Sequence, residues 1–295
     1  MVYCFACMLV ADVLGKTLME RRGGNGDMNM CGKGSHMTKL DFLKSLPKRE
    51  CVYIIFSRLT NVPYVVCNES TFEDEAFLFT DEAEALERAK ELTLAKCPAV
   101  AVKAGQKEIL KLFADLYIYG VTGLVVAEGN EVLRIALSDI VRRPGLNNLP
   151  ENARPLENPS LQLSMMYYLQ EARKLGGVAA DAVDQVAELE EEMAVNLIRA
   201  KYLLPIKEVE INGKKATQLM MMKIKNGDVM VPIFSDVLEY GRFKRDQELK
   251  AVITDFEKLA GMPLPEEVKG FMLNPGGVGL VLTKEYLQKE LQLNR

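Results

Sequence analysis

The stretch Glu267–Thr283, Glu-Val-Lys-Gly-Phe-Met-Leu-Asn-Pro-Gly-Gly-Val-Gly-Leu-Val-Leu-Thr, constrains the fold more than any other part of the chain. One apolar run ends at Asn274-Pro275-Gly276-Gly277, and a second follows at once. Pro cannot donate to a strand ladder and Gly supplies positive φ, so these four residues predict a tight turn between two strands. A charged helical pattern opens after the second run. A weaker version of the same pattern lies at Val121–Ile135. Two versions of one pattern predict an α+β fold made of two divergent copies of a mixed β-sheet unit with flanking helices, joined by a helical linker. The expected division is a leader over 1–36, a first copy over 37–145, the linker over 146–194 and a second copy over 195–295.

In the first copy, Asp41–Leu46 reads as a short helix closed by Pro47. Strands are expected at Cys51–Phe56, Tyr64–Cys67, Glu75–Phe79 and Pro98–Val102, from their β-branched and aromatic content. Helices are expected from Asp81 to about Ala95 and from Gln106 to Phe113. Asp81 and Glu84 stand at capping-box spacing. Leu124–Val126 and Val132–Ile135 close the copy as a strand pair, with a short helix near Ser138.

In the second copy, Asn212-Gly213 and Asn226-Gly227 sit between apolar runs, the strongest short-range hairpin signal. They predict a three-strand meander over Leu203–Ile211, Ala216–Ile224 and Val229–Phe234. Met220-Met221-Met222 places apolar side chains on both faces of its middle strand. Val231–Glu239 aligns with Ala76–Glu84: each puts a Phe, a hydroxyl residue and an Asp at a strand-to-helix turn, with an acid three positions on. A strand near Leu249–Ile253 and a helix near Asp255–Ala260 then lead into Gly270–Pro275.

Between the copies, Arg142–Pro159 reads as a loop. A helix capped by Asn158, with Pro159 in its first turn, carries Leu161, Met165, Tyr168, Leu169 and Ala172 on one face and ends at Gly176-Gly177. A second helix, about 178–201, shows Ala182, Val186, Leu189, Met193 and Leu197 on one face. Its other face carries Asp181, Asp184, Glu188, Glu190, Glu191 and Glu192. That acidic run reads as a solvated surface in preference to a site for a basic partner. Met165–Tyr168 reads as the seam between the copies in preference to a partner groove.

Composition narrows the function. A formal net charge of −4 argues against nucleic acid or an anionic membrane surface as partner. No apolar run approaches the ~20 residues of a membrane span. The single histidine, His36, lies in the polar lead segment, so triads with a His base and His-rich metal sites are disfavoured for the folded body. Cys4, Cys7, Cys31 and His36 permit a zinc reading. The preferred reading is that residues 1–36 are a flexible leader or lie before the true start at Met37, and that Gly34-Ser35-His36-Met37 resembles a cleaved-tag scar. Cys51, Cys67 and Cys97 have no metal-ligand spacing and read as buried free thiols of a cytosolic protein.

Asp236 reads as a helix cap before a general base, because Asp81 recurs at the same place. Asn274–Gly277 reads as a turn before an anion cradle. If the two turns converge, Phe234, Ser235, Asp236, Asn274 and Pro275 line a small, partly polar groove. That groove is the candidate ligand or partner site. Catalysis would need Ser235 or Ser57 as nucleophile without a visible base.

Val231-Pro-Ile-Phe-Ser-Asp236, Gly270-Phe-Met-Leu-Asn-Pro275 and the following Leu-Val-Leu strand with its charged helix resemble the SseB N-terminal domain family. The resemblance covers about 195–290. The first copy looks divergent, since Ala127-Glu128 stands where Asn274-Pro275 stands. The resemblance implies a soluble, bacterial, cytoplasmic α+β domain and implies no reaction or cofactor. The expected function is a non-catalytic interaction or regulatory module with a protein partner. The alternative is a small-ligand sensor or a His-independent, hydrolase-like enzyme.

Overall fold

The computed structural model describes residues 38–129, 131–142, 150, 154–175, 183–211, 214–244 and 249–293. The leader with Cys4, Cys7, Cys31 and His36, most of the loop after Arg142, Gly176-Gly177 and Asn212-Gly213 lie outside the described residues. The chain is α+β, as its pattern predicts.

The first half opens with α1 (Lys39–Ser45), started by a reciprocal Thr38–Asp41 capping box. Strands β1 (Cys51–Ser57), β2 (Val65–Cys67), β3 (Asp74–Phe79), β4 (Ala99–Gly105), β5 (Gly123–Glu128) and β6 (Glu131–Ala136) form one sheet of order β4-β1-β3-β5-β6, with β2 beside β3. Only β3 and β5 run parallel. The crossover between them contains α2 (Glu82–Leu94), β4 and α3 (Gln106–Ile118). Strict alternation gives the sheet two apolar faces. Val52, Ile54, Ala76, Leu78, Leu124 and Val126 join the main core. Tyr53, Ile55, Phe77, Phe79 and Val125 meet Ala85, Ala89 and Leu92 of α2 in a smaller core.

The second half contains β7 (Lys201–Ile211), β8 (Lys214–Leu219), β9 (Met222–Lys223), β10 (Val229–Ile233), α6 (Val237–Lys244), β11 (Lys250–Asp255), α7 (Phe256–Ala260), β12 (Val268–Leu273), β13 (Leu280–Thr283) and α8 (Lys284–Leu293). It corrects the expected meander. Strand β8 pairs with β7, which pairs with β11 on its other side, whereas β9 pairs with β10 in a separate sheet of order β13-β12-β10-β9. The expected middle strand breaks at Met220-Met221. Three consecutive methionines cannot all face one side of a strand, and here the chain leaves the ladder between them. The Asn226-Gly227 turn forms as expected, with Gly227 at φ +93° and its N–H bonded to the Ile224 carbonyl at 2.9 Å.

The two sheets touch where Leu203 and Phe234 exchange backbone bonds of 2.8 and 3.0 Å. Through that bridge the strands run β11-β7-β10-β12-β13, with only β10 and β12 parallel. This is the order and sense of β4-β1-β3-β5-β6 in the first half.

Helices α4 (Pro159–Leu175) and α5 (Val183–Arg199) connect the halves. Leu161, Met165, Met166 and Leu169 of α4 and Met193 and Leu197 of α5 belong to the core that receives the inner faces of both halves. Met165 and Met166 are fully buried, so the Met-Met-Tyr-Tyr stretch sits in the seam. Polar fasteners edge it. Tyr167 Oη donates to Asp74 at 2.6 Å. Arg173 donates to the Leu59 carbonyl at 2.5 Å and to the Gly279 carbonyl at 2.8 Å, tying both halves to one helix.

Gly270 lies at φ +151°, and a Cβ there would stand 2.2 Å from the Leu282 carbonyl oxygen. Gly270→Ala forces β12 and β13 apart. It lowers unfolding stability by about 2–4 kcal/mol, read as a drop in the urea midpoint.

Candidate functional site

Strand β10 ends at Ile233, and the chain must turn into α6 within three residues. Asp236 makes that turn a cap: its Oδ1 accepts the N–H groups of Leu238 and Glu239, both at 2.9 Å. Its Oδ2 accepts Ser235 Oγ at 2.6 Å and Gln162 Nε2 at 2.7 Å.

The turn after β12 enters the same cluster. Asn274 lies at φ +50°, a left-handed conformation Asn tolerates better than most residues. Its carbonyl accepts the N–H groups of Gly277 and Gly279, both at 3.0 Å, which closes the Asn-Pro-Gly-Gly turn. Its side chain reaches across to β10: Oδ1 accepts Ser235 N–H at 3.0 Å and Nδ2 donates to Ser235 Oγ at 2.8 Å. In the first half the matching N–H, that of Thr80, goes to the main-chain carbonyl of Ala127 at 3.3 Å. The Asn274 side chain thus takes the place of a backbone acceptor.

Helix α4 completes the cluster. Gln162 Nε2 also donates to Ser235 Oγ at 3.1 Å. Asn158 stands at the start of α4, where its carbonyl accepts Gln162 N–H at 3.0 Å. Its Nδ2 donates outward to the Lys201 carbonyl at 2.8 Å and to the Ser235 carbonyl.

The two turns therefore converge as expected, but as an interior knot where a groove was expected. Phe234, Ser235, Asp236 and Asn274 are all 0% exposed. Pro275 is half-buried at the rim. Phe234 is packed by Tyr240 and Phe243, at centroid distances of 5.7 and 5.0 Å. The physical reason is satisfaction: a buried Ser, Asp and Asn are costly unless bonded, and here each bonds the others. Two surface cavities, of about 430 and 300 Å³, are lined by none of the five. Ser57, the other serine considered as nucleophile, is buried and accepts Leu59 N–H at 3.2 Å.

A second buried network adjoins the first. Glu239 of α6, 1% exposed, accepts Tyr119 Oη from the first half at 2.8 Å and Arg242 Nη1 at 3.0 Å. Arg242 also donates to Tyr119 Oη and stands 3.6 Å from Asp115, which Lys111 approaches at 2.6 Å. Burial pushes the Glu239 carboxyl above its ordinary value, and Arg242 and Tyr119 only partly oppose that shift. Its Oε2 is shielded without a partner, and it stands 2.7 Å from where a Cβ on Gly277 would lie. A side chain at Gly277 would therefore have to displace the Glu239 carboxylate.

Gln162, Tyr119, Glu239 and Arg242 were not read as site residues in the sequence. Glu239 carried a signal, its spacing from Asp236, but that spacing suggested a cap. Gln162 stands beside Leu161 on a mostly apolar helix, a position that hints at a buried polar role only once its neighbour is known. Among the described residues, no group of three or more His, Cys, Asp and Glu side chains is placed to hold a metal ion. Cys51, Cys67 and Cys97 form no disulfide; Cys97 is buried and the other two are half-buried. No helix among the described residues is long and apolar enough to cross a membrane.

Residues 178–289 match the family model of the SseB protein N-terminal domain. The match starts ahead of the expected 195 and so takes in α5 together with β7–β13. No curated protein matches the chain. A solved structure, Tic22 from Plasmodium falciparum, is similar over 85% of this chain and 97% of its own, at 13% identity and a TM-score of 0.21. A superposition that loose carries no argument about fold or function.

Asn274→Ala removes both bonds to Ser235, orphans a buried N–H and places Ala at positive φ. The expected cost is about 3 kcal/mol, measured by urea unfolding with an unchanged m-value. Glu239 has a second signature. Because its folded value is raised, the stabilisation it contributes is complete at low pH. That stabilisation fades as pH climbs from the ordinary 4.5 through the raised value. Glu239→Gln flattens this decline. Urea midpoints of both proteins taken between about pH 4 and pH 8 check it, and parallel curves would contradict it.

Proposed function

We propose that the protein is a non-catalytic interaction module, built from two copies of one α+β unit, whose second copy presents the surface for a protein partner. The shared strand order and pairing sense of the two halves support the duplication. The family resemblance implies a bacterial cytoplasm as its setting, and Cys51, Cys67 and Cys97, which form no disulfide, fit that setting.

The observation that carries the reading is a change of chemistry at matched positions. In the first half, Tyr53 pairs with Lys103 and Val125 pairs with Arg134. Lys103 Nζ lies 6.0 Å from the Tyr53 ring centre, and Arg134 bonds Glu75 at 3.1 Å. The same registers in the second half pair Leu203 with Ile253 and Met272 with Val281. Ile253 is 54% exposed and Val281 41%. Apolar side chains thus stand on both edge strands of the sheet where the first half carries cations. Singly exposed apolar residues are common on any surface; what sets these two apart is that each replaces a cation at a matched register.

The Ser235–Asp236–Asn274 knot serves this surface from within. It caps α6 and ties the β12–β13 turn to β10, so both edges are held at fixed spacing. A hydrolase or small-ligand reading has no specific observation in its favour, since Ser235 and Ser57 are buried and already bonded.

The test is a crosslinked pull-down of the full chain from native cytoplasm, read by mass spectrometry, against Ile253→Lys with Val281→Arg. The double variant restores the first half's charges and is expected to keep the wild-type melting temperature. A partner held by the wild type and lost by the variant is the expected result. A partner held equally by both removes this surface from the reading.

A further inference from the structure

Helices α5 and α8 enclose a surface groove of about 430 Å³, distant in sequence from the α6 turn. Its α5 wall is Ala187, Glu190, Glu191, Ala194 and Val195, and its α8 wall is Lys289, Glu290 and Leu293. The spacing follows from helix geometry: residues 187, 190, 191 and 194 share one face, while Met193 and Leu197 turn to the core. Ala187 and Ala194 are too small to fill the space between the helices, so the floor is apolar and open. Leu293 stands 69% exposed at one end.

The rim is acidic. Three glutamates face one lysine, and Lys289 Nζ already lies 3.8 Å from Glu290. Exposed Glu188 and Glu192 on α5 extend the same field. A separate observation lies one helical turn before Glu290. The Tyr286 hydroxyl is shielded from solvent and has no hydrogen-bond partner. Burial holds it neutral to higher pH than a free phenol, and the nearby Glu290 and Glu190 carboxylates add to that shift, so the hydroxyl stands beside the groove's own acids.

We propose that this groove docks a short basic segment of a partner protein. One apolar side chain of the segment sits over Ala187, Ala194 and Val195. Flanking Lys or Arg side chains pair with Glu190 and Glu191, and Glu290 adds to the negative field from within the groove wall. The volume suits one or two side chains. The acidic rim selects cations and rejects nucleic acid. This surface is independent of the β11 and β13 edges, so either can fail alone.

The experiment uses the full chain and a fluorescein-labelled peptide, Gly-Arg-Lys-Leu-Arg-Lys-Gly, followed by anisotropy at physiological salt. Saturable binding is expected, and Glu190→Gln with Glu191→Gln weakens it about tenfold. The same charge change at exposed Glu266 and Glu267 leaves it unaltered. A peptide with its leucine replaced by glutamine binds wild-type protein more weakly than the parent. That arm needs no variant to fold. Three outcomes overturn the proposal: no saturable binding, equal weakening by both pairs of substitutions, or equal binding of the glutamine peptide. The last two mean general charge attraction only.

Discussion

Much of the second half depends on one side chain meeting one backbone amide. Asn274 gives its Oδ1 to Ser235 N–H and its Nδ2 to Ser235 Oγ. Those two bonds join the end of β12 to the start of the turn after β10, beside the main-chain bond from Asn274 N–H to the Ile233 carbonyl at 2.9 Å. An Asn side chain suits the task because it accepts and donates from one planar group. It also tolerates the positive φ that directs its main chain into the Pro-Gly-Gly turn. The first half solves the same joint with the Ala127 carbonyl alone, at a longer 3.3 Å. The side-chain version adds a ring of buried partners and is correspondingly more demanding of each.

That demand spreads outward. Ser235 Oγ needs an acceptor and finds Asp236; Asp236 needs donors and finds the α6 amides and Gln162. Gln162 comes from α4, the same helix that buries Met165 and Met166 and whose Arg173 holds both halves. Glu239 then carries the network into the first half through Tyr119. Buried polar groups tolerate little misplacement in a low dielectric, so these links set how the halves and the connecting helices sit together. Apolar packing supplies the bulk of the driving force, but it is far less directional.

A knot so fully bonded is poorly suited to chemistry. A nucleophile needs a free lone pair facing a space where substrate can stand, and Ser235 Oγ has neither. The interior is devoted to placement. The informative surfaces are those where placement brings unlike neighbours together: Ile253 and Val281 on opposite edge strands, and the acidic walls of α5 and α8.

The fold class was legible because period-2 and period-3.6 patterns are local, and so were most strands and helices. The Gly270–Thr283 strand-turn-strand, the Asp81 and Asp236 caps and the Asn226-Gly227 turn were legible for the same reason: each depends on residues within a few positions. The meander was misread at Met220-Met221 because apolarity on both faces does not say which sheet a strand will join. The convergence of Ser235 with Asn274 could be anticipated from matched motifs, but its closure could not. Burial depends on what covers a residue, and Gln162 and Asn158 lie more than seventy positions before Ser235. Sequence by itself therefore determined the elements and their caps. Tertiary structure alone decided that the candidate groove is a sealed knot, since sealing requires side chains that only the folded chain brings together.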